Sequence, residues 1–150
     1  MRIFVDADAC PVKEEVYRVA DRYGLGVTLV ANSRMRVPDK ASIELVVVGA
    51  GLDVADDWIA AAVEADDIVI STDLLLAARC LAKGAHVISN TGQLLEEENI
   101  GSLLAMRELH AELREAGTIT GGPPPMHKRD RSRFLQALDG VIQRVRRRTT

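Results

Sequence analysis

Aromatic residues are scarce in this chain: one Trp, two Tyr and two Phe among 150 residues. The core is therefore expected to be aliphatic. No row of rings is available for stacking nucleobases, which argues against sequence-specific single-strand recognition of that kind. Cysteine is nearly missing too. Cys10 and Cys80 form neither a CxxC nor a zinc ligand set, and no disulfide is expected. Cys10 precedes a helix start, where a thiol pKa can be lowered, but it also reads as a small residue packed beside a strand end. There is no apolar run as long as a membrane span and no signal-peptide pattern, so the expected location is cytoplasmic, with no membrane partner. A P-loop is missing, and Gly49-x-Gly51 is too short for a dinucleotide fingerprint. No Ser or Cys pairs with a His as an activated nucleophile. His86, His110 and His127 are scattered without ligand spacing, and His86 reads as a packed strand residue.

What is present is an ordinary globular composition, 47% hydrophobic and 27% charged, with length for one domain over residues 1–150. The charge is unevenly spread. Residues 1–127 carry 11 Lys/Arg against 20 Asp/Glu, and residues 128–150 carry 8 against 2. The basic tail reads as a solvated last helix; the functional alternative is an arm that contacts phosphates.

Strand-like and helical patterns alternate along the chain. Residues 2–5 read as a buried strand. Residues 11–23 are helical, with Val12, Val16, Val19 and Ala20 on one face, and Gly24 ends them. Residues 26–31 and the β-branched run 43–48 are strands, joined by a turn-rich loop that carries Arg34, Arg36 and Lys40. Residues 53–65, 73–83, 100–116 and 132–148 are helical, and 67–71 and 85–89 are strands. Residues 90–99 read as a polar connector, and Gly121-Gly122-Pro123-Pro124-Pro125 as a stiff turn. The expected fold is α/β: a mostly parallel five-stranded sheet with helices on both faces, a three-layer sandwich that ends in a basic helix at about 132–148.

Acids stand where such a fold binds its ligands, beyond the carboxyl ends of strands. The first strand runs straight into Asp6-Ala7-Asp8. Two carboxylates so close repel each other unless a positive group sits between them, and a divalent metal is the natural partner. Asp8 also suits an N-cap ahead of Pro11, although capping uses one carboxylate and not both. Asp73 follows the fourth strand, and is a candidate N-cap with Thr72 competing for the role. Asp53, Asp56 and Asp57 open a helix; the Asp53–Asp56 and Asp53–Asp57 spacings each place two acids on one face, where they also suit the helix dipole. Carboxylates without His or Cys favour Mg²⁺ or Mn²⁺ over zinc.

The stretches Asp6-Ala7-Asp8-Ala9-Cys10-Pro11-Val12-Lys13, Val30-Ala31-Asn32-Ser33 and Gly51-Leu52-Asp53-Val54-Ala55-Asp56 resemble the YaiI/YqxD family of bacterial proteins. So do Ser71-Thr72-Asp73 with Leu76-Ala77-Ala78, Glu98-Asn99-Ile100, and the run from Gly122-Pro123 through Asp130-Arg131 to Phe134. The family looks like part of the wider PIN-like nuclease group, a parallel sheet with metal-binding acids at strand ends. The resemblance implies metal acids at Asp6, Asp53 or Asp56, and Asp73, with the neutral Asn90 at a fourth position.

Three functions compete. In the first, a metal-dependent nuclease cleaves RNA, with Asp6 and Asp73 catalytic, the metal drawn from Asp6, Asp8, Asp53, Asp56, Asp57 and Asp73, and phosphates held by Lys13, Arg34, Arg36 and Lys40. In the second, Asp6 and Asp8 are nucleophile and acid of a haloacid-dehalogenase-type phosphatase, with Ser71 or Thr72 and Lys83 in support; no strand-end Asp pair follows to complete that set. In the third, the chain is a non-catalytic metal- or nucleic-acid-binding module.

Overall fold

The computed structural model describes residues 1–117 and 126–149. The turn read at 121–125 lies outside them. Six strands form the sheet: β1 (Ile3–Asp6), β2 (Val27–Ala31), β3 (Ile43–Val47), β4 (Ile68–Ile70), β5 (His86–Ile88) and β6 (Leu94–Leu95). Five helices accompany them: α1 (Lys13–Tyr23), α2 (Val54–Ala62), α3 (Leu74–Ala82), α4 (Glu97–Glu115) and α5 (Lys128–Thr149). A 3-10 turn, Ala7–Ala9, follows β1.

The strand order is β3-β2-β1-β4-β5-β6, parallel except for the β5–β6 pair. The chain leaves β1 toward β2 and β3 on one side and resumes with β4 and β5 on the other. That reversal puts the switch point between β1 and β4, where open α/β sheets leave a crevice.

Alternation along β1 divides the core. Ile3 and Val5 face one side, with Val16 and Val19 of α1 and Phe134, Leu138 and Ile142 of α5. Phe4 faces the other, with Ile59 of α2, Leu76 and Cys80 of α3, and, more peripherally, Ile100 and Leu103 of α4. The result is the expected three-layer sandwich. It is aliphatic apart from Phe4 and Phe134 among the fully buried large side chains.

The structure corrects the sequence reading in the second half. The connector at 90–99 contains a sixth strand: Leu94 and Leu95 pair with Ile88 and Val87 after a turn at Gly92. Two residues are too short to show a period. The acidic run 96–98 opens a helix rather than connecting. Glu96 caps α4 in a reciprocal box, its backbone N–H donating to Asn99 Oδ1, and Glu97 and Glu98 suit the first turn. The last helix starts at Lys128, four residues early, because its first turn is exposed and carries no apolar signal.

Candidate active site

β1 delivers Asp6 to the carboxyl edge of the sheet, just past its last pairing with β4, Val5 opposite Ile70. Beyond β4, Ser71 ties the two strand ends together. Its hydroxyl donates to Asp6 Oδ2 at 3.0 Å and accepts from the Asp73 backbone N–H at 3.0 Å. Asp73 caps α3, its Oδ1 accepting from the N–H groups of Leu75 (2.9 Å) and Leu76 (3.1 Å). Its Oδ2 stays outside the cap. Asp8 accepts from the Asn32 N–H at 2.8 Å and so pins the exit of β2. Asp53 precedes α2 in a left-handed conformation (φ 65°), and its side chain makes no cap hydrogen bond.

Asp6, Asp8, Asp53, Asp56 and Asp73 line one cleft of about 270 Å³, with Asn32 and Leu52 among its walls. No Lys or Arg lines it among the described residues. The consequences appear in the protonation of the acids. Burial raises the Asp6 pKa, Asp73 and Asp8 raise it further, and the Ser71 hydrogen bond opposes them. Asp56 is pushed up to about 6, first by burial, then by the charges of Asp73 and Asp6, by a hydrogen bond with Asp73, and by Asp53.

As the side chains stand, no three His, Cys, Asp or Glu groups among the described residues converge on one ion position. The donors nevertheless fit Mg²⁺ or Mn²⁺ in kind: they are hard oxygens, they lie in one cleft, and a dication would offset the burial and mutual repulsion that raise the Asp56 pKa.

Other residues singled out in the sequence lie elsewhere. Asp57 pairs with Arg79 at 2.7 Å and is absent from the cleft lining. The loop after β2 buries Met35 and Val37 against the core and leaves Arg34 and Arg36 exposed; Arg34 lies beside Val47 at the carboxyl end of β3. Lys40 faces Asp21 at 3.7 Å near the start of β3, at the opposite sheet edge. The Lys13 ammonium donates to the Cys10 carbonyl at 3.0 Å. Asn90 donates to the Ala9 carbonyl at 3.2 Å and lines a neighbouring groove rather than the cleft. Lys83, the lysine of the phosphatase reading, is bound to the Ala60 and Ala61 carbonyls at 2.9 and 3.1 Å. Cys10 is buried and its thiol pKa is raised, chiefly by burial, so the packed reading holds and the activated thiol does not. His86 is half-buried, with Nε2 3.1 Å from Asp66 Oδ1.

Sequence reasoning missed the bridging role of Ser71 and the place of Asn32 in the cleft. A hydroxyl two residues ahead of a capping Asp is a local signal for the first; the second depends on the β1–β2 pairing and has none.

The fold and the cleft define a class: an α/β sandwich with clustered carboxylates at its switch point. Residues 4–144 match the uncharacterized YaiI/YqxD family, and the chain belongs to that family. It is 54% identical over 147 residues to a UPF0178 protein of Rhodopseudomonas palustris, covering 98% of this chain and 90% of that one. A UPF0178 protein of Nitrobacter winogradskyi is 52% identical, covering 98% of this chain and 94% of its own length. A UPF0178 protein of Gluconacetobacter diazotrophicus is 53% identical, covering 99% and 96%. Among solved structures there is no significant match. No helix of the described residues is long and apolar enough to cross a membrane.

Proposed function

We propose that this protein is a Mg²⁺- or Mn²⁺-dependent nuclease that hydrolyses RNA phosphodiesters. One observation carries the reading: Asp6 and Asp73, joined by Ser71 across the switch point, share a cation-free cleft with Asp56, whose pKa is displaced to about 6. The resemblance to PIN-like nucleases supports it. The phosphatase reading lacks its lysine, because Lys83 is tied to backbone carbonyls.

A bound dication would supply a water of lowered pKa and stabilise charge on the phosphoryl oxygens. Asp6, Asp56 and Asp73 would hold it, Asp6 being oriented by Ser71 and Asp73 by its cap. Asp56, with its pKa raised to about 6, would join that set as the carboxylate it mostly is at neutral pH. Arg34 and Arg36 hold phosphates outside the cleft and stand clear of the chemistry. Asp6 is half-buried at the cleft, which a flexible single strand reaches more readily than a duplex. With few aromatic residues, base preference is weak.

The test is cleavage of end-labelled single-stranded RNA in Mn²⁺. Activity is expected in the wild type, and EDTA abolishes it. Asp73→Asn is expected to retain its cap and RNA binding while losing cleavage by a factor of at least about 100, the scale of a lost electrostatic group in a site. Cleavage that survives in Asp6→Asn, in Asp73→Asn and in EDTA points to a contaminant and leaves the binding-module reading.

A further inference from the structure

Beside the acidic cleft lies a second, larger hollow of about 780 Å³, lined by Ala9, Thr72, Asn90 and Thr91 from strand ends and by Arg129 and Arg133 from the start of α5. Ala9 lines both spaces, and Thr72 directly precedes Asp73, so the two adjoin. Its volume lies within the range of small-ligand sites, about 300–1,000 Å³.

The wall formed by α5 is firmly set. A Cβ on Gly92 would come within 2.7 Å of the Arg133 carbonyl carbon and oxygen, so the β5–β6 turn presses directly on the helix backbone. Arg131 points inward, donating to the Pro11 carbonyl at 2.8 Å and to Glu15 Oε1 at 2.9 Å. Asp130, the one acid in the lining among the described residues, accepts from the His127 N–H at 3.0 Å. Arg129 and Arg133 are exposed and make no ion pair among the described residues.

A polyanion approaching five clustered carboxylates is repelled unless positive charge waits beside them. The body of the chain is acidic, and the first turns of α5 are where cations concentrate next to the cleft: Lys128, Arg129, Arg131 and Arg133. We propose that this groove binds the sugar-phosphate chain of a single-stranded polynucleotide on one side of the phosphodiester held in the cleft, with Arg129 and Arg133 on its phosphates. The proposal rests on the nuclease reading for the direction of the strand, not for binding itself. Ala9 and Pro11 add apolar surface to the lining and Asn90 and Thr91 add polar groups, the Thr91 hydroxyl lying 3.2 Å from that of Ser89.

The experiment measures fluorescence anisotropy of a labelled single-stranded RNA oligonucleotide across salt concentrations, in an Asp73→Asn background so that nothing is cut. The pair Arg129→Ala/Arg133→Ala is expected to raise Kd on the order of tenfold and to flatten the log–log salt slope by about 1.4, two phosphates' worth on a single strand. Arg129→Lys/Arg133→Lys restores most of the slope. A parallel DNA oligonucleotide reads the sugar: equal losses assign the contacts to phosphate, and a larger loss with RNA adds the hydroxyl. Unchanged Kd and slope in the alanine pair, with an unchanged melting curve, overturn the groove, as does a background protein that binds neither strand. Cleavage by wild type with unaffected binding in the pair keeps the nuclease and removes the groove. Groove-dependent binding without any cleavage does the reverse.

Discussion

The two edges of the sheet hold the same chemical group in opposite circumstances. At the amino edge, Asp67 is only 3% exposed and fully provided for. It accepts from the backbone N–H groups of Arg2 and Glu64, each at 2.9 Å, and from the Arg2 guanidinium at 3.3 Å. Its neighbour Asp66 meets Arg148 at 2.9 Å and His86 at 3.1 Å. At the carboxyl edge, Asp6 has a single hydroxyl donor and two acids for company. Buried charges that only hold a fold together are paired. Charges set against one another cost stability.

Removing Asp67 attacks the provided edge and carries the largest expected effect. Asp67→Ala strands two backbone N–H groups and the Arg2 guanidinium, and is expected to cost about 2–4 kcal/mol in urea denaturation. Loss of less than about 1 kcal/mol would remove the contrast between the edges.

The opposite edge responds with the opposite sign. Asp56 has an ordinary pKa of 3.8 and titrates near 6 in the fold. Between those values the folded state holds the extra proton, so this contribution to stability is full below pH 3.8 and is lost as pH rises through 6. Asp56→Asn is therefore expected to stabilise the metal-free protein at pH 7. Because the group is half-buried at an open cleft, the gain is discounted for solvent screening to about 1 kcal/mol, roughly 2–4 °C in Tm. The gain should vanish at pH 3.5, and millimolar Mn²⁺ should stabilise the wild type but not the variant. A variant less stable than wild type at pH 7 would make Asp56 a structural acid like Asp67.

The smallest effect concerns the basic tail. Arg148 and Asp66 are both largely exposed, and Arg148→Ala is expected to cost no more than about 0.5 kcal/mol, falling toward zero at high salt. The Arg146 guanidinium donates to the Tyr23 carbonyl and lies 4.9 Å from the centre of its ring, which further marks this end of α5 as a fastening. An altered RNA salt slope in Arg148→Ala would bring the tail into the binding surface.

Much of this was legible in the sequence because the signals were local. The run from Ile3 to Asp6, the stripe of Val12, Val16 and Val19, and Gly24 at φ 67° each declare a strand, a buried face and a helix end within a few residues. The placing of Asp6, Asp8 and Asp73 on one side followed from parallel strands ending at one edge. What the sequence withheld is relational. Asp56 and Asp57 share a helix turn, yet only the packing of α2 against α3 sends Asp57 to Arg79 and leaves Asp56 in the cleft. Lys40 sits in a basic loop, but that loop crosses from one sheet edge to the other and carries Lys40 away. The groove was invisible because it joins Asn90 to Arg129 and Arg133, residues whose proximity depends on Gly92 touching a helix some forty positions later.

The docking of α5 also imposes an order of assembly. The carboxylates of the cleft all lie between Asp6 and Asp73, and α3, which Asp73 caps, ends at Ala82. Phe134, Leu138, Val141, Ile142 and Val145, which close one face of the sheet, are synthesised long after the strands they cover. On a ribosome, which delivers the chain from its amino end, the parts of the cleft emerge first, while one face of the sheet is covered by α1 alone and the groove has only its strand-end wall. A nascent chain at that stage carries the acids of the cleft but lacks Arg129 and Arg133. The last helix thus completes the half of the core that α1 begins and supplies the basic side of the groove in a single event.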